Sequence, residues 1–189
     1  MATNPVVRPV VATAGLVAAS ATALILLVVT LTYIPAADLP LSMKILIAAI
    51  PLAASLYVGW LWWRRANRRR TWEAAAAEHW RSFYNAKLAG GTTAELTLLS
   101  VDAVQPTGSW VTVAWNRFNH VQPAWLESLP EPIWPGSVLL IAPDPAQVMP
   151  GAPWPDTYFI RAADCLAWAP AEGRPSTLEP PSALRARNS

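Results

Sequence analysis

The sequence predicts an α+β membrane protein. In order, its parts are an N-terminal two-helix transmembrane hairpin, a helical extension, a small cytoplasmic β-barrel-like (SH3- or OB-like) domain and a disordered C-terminal tail. Three observations carry this reading. No charged residue occurs from residue 9 to 37, or again from 45 to 63. Five arginines (Arg64, Arg65, Arg68, Arg69 and Arg70) crowd the stretch just beyond. After Gly91 the apolar residues alternate with a period of two, as in half-buried strands.

Composition agrees with a divided chain. Hydrophobic residues make up 53% and charged residues only 14%, against about 25% charged in ordinary soluble domains. The excess lies before residue 64, and the remaining roughly 120 residues suffice for one small domain with its own core.

Residues 1–9 form a short N-terminal segment. Residues 10–34, as a helix, would span roughly 37 Å, more than the ~30 Å hydrocarbon core. The run from Ile45 to Trp63 would span roughly 28 Å and places a second span at residues 44–63. The connection 35–43 is short and contains Pro35 and Pro40, so the two helices form an antiparallel hairpin. Pro51 removes one backbone donor inside the second helix and is expected to kink it. Lys44 is the lone cation near the connection, so the positive-inside rule puts both termini in the cytoplasm and the loop outside. The expected location is the inner (cytoplasmic) membrane. A cleaved signal peptide would have a shorter apolar run, and would leave the C-terminal domain on the same side.

Trp60, Trp62 and Trp63 suit an aromatic belt at headgroup level, with the five arginines beyond them contacting anionic lipid headgroups. Nucleic acid is the weaker expectation for that cluster. Gly15 with Ala19, and Ser55 with Gly59, stand at four-residue spacing and permit close helix packing, within the hairpin or against another subunit. No Asp, Glu, His, Lys or Arg lies between Val10 and Ile34 or between Ile45 and Trp63, so nothing points to an ion path or proton relay.

Residues 64–91 combine the basic junction with an amphipathic helix. Trp72, Ala76, Trp80 and Phe83 share one side of it, which is expected to cover the following domain. Gly90-Gly91 ends it. Residues 92–169 form the β-domain. A strand from Ala94 changes phase at Leu98-Leu99, as a bulge would, and turns at 105–109 into a second strand, 110–115. Pro123 and Pro130 bracket an expected short helix, 123–129. Three further strands are expected at 137–142, 157–161 and 165–169, with a proline-rich loop at 143–156. Residues 170–189 are proline-rich and poor in apolar residues, hence the disordered tail.

The chemistry is sparse. Two histidines and one cysteine are available, and no metal, phosphate-loop or nucleophile-elbow motif occurs. No cofactor, metal or catalytic residue is assigned. Cys165 with His120 could form a nucleophile and base, but Cys165 opens an apolar strand and reads as structural. Tryptophan is the anomaly. Trp110 and Trp115 differ in strand parity and so face opposite sides of their sheet. Arg117, Phe118 and His120 share the connection after that strand, and Trp125, Trp134 and Trp154 lie beside or near prolines. These eight residues are the expected partner-binding set, since aromatic rings dominate interface centres. The expected function is a non-catalytic accessory protein whose β-domain docks onto a larger membrane complex, as scaffold, assembly factor or small subunit. Its partners would be other membrane subunits or a second copy. The alternative is a membrane-surface module binding anionic lipid or nucleic acid through Arg64–Arg70.

Overall fold

The computed structural model describes residues 4–148, 151 and 153–175. They divide into two compact units, one formed by residues 9–72 and the other by the segment up to Arg8 together with everything from Glu73 onward.

The first unit holds α1 (Ala14–Tyr33) and the first part of α2 (Leu41–Ala89). Thr13 caps α1 by accepting a hydrogen bond from the Leu16 amide, so α1 starts at Ala14 and not at residue 10. Its length is about 30 Å at 1.5 Å per residue. Pro51 lies inside α2. Both helices are long and apolar enough to cross a membrane. Leu24, Ile25 and Val28 on α1 and Ile45, Ile50 and Leu56 on α2 are exposed, an apolar surface that water does not favour. Leu16 and Ala23 of α1 are buried, and polar contacts join the two helices. Trp62 Nε1 donates to Ser20 Oγ at 2.8 Å, and Arg65 donates to Thr13 Oγ1 at 2.9 Å.

The second unit is a curled six-stranded sheet: β1 (Ala94–Gln105), β2 (Gly108–Trp115), β3 (His120–Glu127), β4 (Ser137–Ile141), β5 (Tyr158–Ile160) and β6 (Cys165–Pro170). The order across the sheet is β5-β3-β2-β1-β4-β6. All neighbours are antiparallel except β3 and β5. Where a small, partly open barrel of SH3 or OB type is expected, the sheet curls into a half-barrel and does not close. Among the described residues β5 pairs with β3 alone and β6 with β4 alone, so the sheet is an open half-barrel with two edges.

The phase change in β1 is a register shift between Leu98 and Ser100, and a second follows between Val101 and Ala103. The expected helix at 123–129 is instead part of β3. Gln122, Ala124 and Leu126 all point inward, a period of two that a helix cannot satisfy. Pro123 stands one position before the pairing with β5 begins at Ala124, where a missing N–H is tolerated.

Two cores lie on opposite faces of the sheet. The inner face packs Leu96, Leu98, Val111, Val113, Trp115, Leu139, Tyr158 and Ile160. On the outer face, Trp80 and Phe83 of α2 cover Val138, Leu140 and Ala169, so every residue of β4 is buried. Trp80 Nε1 donates to the Pro170 carbonyl at 3.0 Å.

The chain ends differ from expectation. Residues 4–8 are part of this second unit: Val6 is buried, while Arg8 pairs with Glu73 at 2.6 Å and its amide donates to Glu172 at 2.8 Å. Pro170 closes β6, and Ala171–Gly173 form a 3-10 turn. That turn is seated because Glu172 holds Arg8 and the Ala171 amide donates to the Gly136 carbonyl. The rest of the expected tail, 176–189, lies outside the described residues.

Candidate functional site

The expected partner-binding residues fall into two groups and one outlier. Trp115, Arg117, Phe118, His120 and Trp154 converge where β2 turns into β3. Asn119 occupies the left-handed region at φ 49°, a conformation Asn accepts more readily than most residues. The turn is held by Phe118 N donating to Trp115 O at 3.1 Å and by Thr97 Oγ1 donating to Asn116 Oδ1 at 2.7 Å. Trp154 lies 5.1 Å from Trp115, 5.5 Å from Phe118 and stacks on His120 at 4.5 Å, all centroid to centroid. The Arg117 guanidinium stands over the Phe118 ring at 5.9 Å.

Beneath this cluster lies Gln122, buried among apolar residues. With its amide oriented to satisfy both neighbours, Oε1 accepts from Trp115 Nε1 at 2.9 Å and Nε2 donates to the Pro155 carbonyl at 3.2 Å. It ties the proline-rich loop carrying Trp154 to the inner face. Tyr158 is buried against Trp115, and its hydroxyl accepts from the Asp144 amide at 2.9 Å. Burial pushes the Tyr158 phenol above its ordinary range. Most of this cluster is therefore a core extension, with Phe118 and Arg117 exposed.

The second group is on the outer face. Register places Ala103, Trp110 and Trp125 in one row across β1, β2 and β3, and Phe159 of β5 stands next to Trp125. Trp110 and Trp125 meet edge-on, 5.1 Å apart at 67°. Phe159 is 51% exposed and Val121, on the same face of β3, is 54% exposed. Helix α2 covers β4 and β6 on this face, whereas among the described residues no helix covers the row over β2, β3 and β5. Asp102 and Glu127 border it: Asp102 accepts from Thr112 Oγ1 at 3.0 Å, and Glu127 shares the face of Trp125 by strand alternation.

Phe159 is the residue that sequence reasoning missed, because β5 is too short to show a period. The edge of β5 is plugged by Gln147, whose amide donates to Phe159 O at 3.0 Å and accepts from Phe159 N at 2.8 Å. Strand-to-strand addition there is blocked, which leaves the face as the accessible surface. Trp134 lies apart, in the connection before β4, with its carbonyl accepting from Ser137 N.

The helix-packing and headgroup residues sit in the first unit. Gly15 and Gly59 both face open space, and Ala19 is exposed. Ser20 meets Trp62 across the hairpin, and Ser55 turns its hydroxyl back to the Pro51 carbonyl at 2.8 Å. Arg64 lies over the Trp60 ring at 5.3 Å. Arg65 is engaged with Thr13, Arg69 is half-buried, and Arg68 and Arg70 are exposed.

Cys165 is half-buried, and burial pushes its thiol up to about 11, so at neutral pH it is protonated and a poor nucleophile. A cleft of about 240 Å³ opens at the other end of the half-barrel, lined chiefly by Leu98, Val101, Val111, Leu126, Leu129 and Ile133. The two carboxylates on its rim are already engaged, Glu127 by the Ala162 amide and Glu131 by Trp168 Nε1. Gln105, Ser109 and Ser128 also line it.

No family model, no curated protein and no solved structure matches this chain.

Proposed function

We propose that the protein is a non-catalytic accessory subunit or assembly factor anchored in the cytoplasmic membrane, with the outer face of β2, β3 and β5 as its docking surface. The observation that carries this reading is the open aromatic row. Trp110, Trp125 and Phe159 lie side by side on the half of the sheet that α2 leaves bare. Trp110 and Phe159 are exposed and Trp125 is half-buried between them, an aromatic surface of the kind that interfaces bury at their centres.

The anchoring half of the reading draws on α1 and the first part of α2, each long and apolar enough to cross a bilayer. Residues 4–8 belong to the same compact unit as the chain from Glu73 onward, as expected if the chain enters and leaves the hairpin on one side. The arginines 64–70 support a cytoplasmic placement of that side. The outward Gly15 and Gly59 favour use of the helices against a neighbouring membrane subunit.

The test is extraction in mild detergent from the native membrane, followed by native sizing. The wild-type chain is expected in a particle larger than one copy, and the double variant Trp110→Ser/Phe159→Ser is expected to leave it. An unchanged particle in the double variant contradicts the proposal.

A further inference from the structure

The two halves of the outer face are built alike, and the covered half shows what the bare half is suited to hold. On the covered half, α2 lays Trp80 and Phe83 onto Val138, Leu140 and Ala169. Its next turns bring Lys87 to Glu95 of β1, 2.8 Å away. Recognition there combines an aromatic helix face with a basic side chain that meets a carboxylate of the sheet.

The bare half continues the same surface. It offers Trp110, Trp125 and Phe159 as the apolar floor, bordered by the charges of Asp102 and Glu127, whose present donors (the Ser100 and Thr112 hydroxyls and the Ala162 amide) are neutral and leave those charges in place. Arg117 lies at the opposite end, over Phe118, while Arg161, next but one after Phe159 and close enough to feel the Glu127 charge, is already paired with Asp164 at 2.7 Å. Resting on the docking function proposed above, we infer that the occupant of the bare half is an amphipathic α-helix of a partner protein, apolar on one face and flanked by Lys or Arg. The carboxylates disfavour an anionic bilayer surface, which would be repelled. The Gln147 plug on β5 disfavours an added strand. A basic-flanked helix satisfies both the floor and its border.

The experiment uses the full chain in its native membrane, with a photo-crosslinking amino acid at position 159 or 121 and mass-spectrometric mapping of the attached segment. The expected adduct is a partner segment with apolar residues at helical spacing and Lys or Arg beside them. Replacing Asp102→Lys or Glu127→Lys should lower the adduct yield by at least about fivefold, and Asp102→Asn should lower it less. A thermal melt of each variant confirms that the fold is kept; for a variant that fails to fold, Asp102→Asn and Glu127→Gln replace it. Attachment to lipid, to a second copy of this chain, to an extended or acidic segment, or indifference to the charge variants overturns the inference. No adduct at either position removes the docking function itself, so the two failures are distinguishable.

Discussion

The indole of Trp125 rests on Gly108 of the neighbouring strand. A Cβ at position 108 would stand 2.6 Å from the Trp125 ring and 2.5 Å from the Leu126 carbonyl oxygen. The absence of a side chain at one residue thus gives the central ring of the outer row its seat.

Gly108→Ala therefore tests whether the row is seated as described. Replacing glycine in an ordinary strand conformation should stabilise by about 0.4–1 kcal/mol through the unfolded chain. Here the overlap with backbone and ring should reverse the sign and destabilise by about 1–3 kcal/mol. Chemical denaturation of the detergent-solubilised protein measures the difference, and a stabilised variant would contradict the seating.

Glu95 gives the second unit a pH dependence. Burial alone would raise its pKa, but hydrogen bonds and charges from Lys87 and Arg174 outweigh that and hold the carboxyl below its ordinary range. Folding is thus favoured by the ionised carboxylate. That contribution is complete above the unfolded value, about 4.3, and disappears as pH falls through the lower folded value. Glu95→Gln should cost on the order of 1 kcal/mol at pH 7, with the gap to wild type closing in acid. Unfolding curves between pH 7 and pH 3 provide the check.

Gln122 joins Trp115 to the loop carrying Trp154. Gln122→Leu leaves a buried indole N–H and a carbonyl unpaired, which should cost about 1–3 kcal/mol. It should also speed hydrogen exchange in residues 153–157 relative to β4. Equal exchange in the two proteins would show that the loop is held by stacking alone.

Gln147→Ala opens the β5 edge. Loss of its paired hydrogen bonds to Phe159 should raise exchange at that amide and promote concentration-dependent association through the free edge. Light scattering reads the second effect. Unaltered exchange at Phe159 would show that the plug is dispensable.

Much of the second unit is legible in the sequence because its pattern is local. The alternation around Leu96 and Leu98, its slip at Leu99, and the opposite parity of Trp110 and Trp115 all follow from a period of two. β3 is obscured because one of its inward residues is Gln122 and because Pro123 and Pro130 imitate helix boundaries. The burial of Gln122 depends on Trp115 and Pro155, both remote from the local pattern. Phe159 is hidden for a similar reason: a three-residue strand has no readable period, and its face is set by pairing with Trp125. Closure of the sheet is likewise a long-range property, decided by which strands β5 and β6 can reach. Residues 4–8 carry no local signal for the contacts that Val6 and Arg8 make across the whole chain.

Hydroxyl-radical footprinting tests the central claim most directly. The oxidation rates of Trp110, Trp125 and Phe159 would be compared in native membranes and in the purified, detergent-solubilised chain. Strong protection of all three is expected in the membrane and its loss on purification, with exposed Phe118 changing little. Equal oxidation in both settings would mean that nothing covers this face in its native surroundings, and would contradict the account.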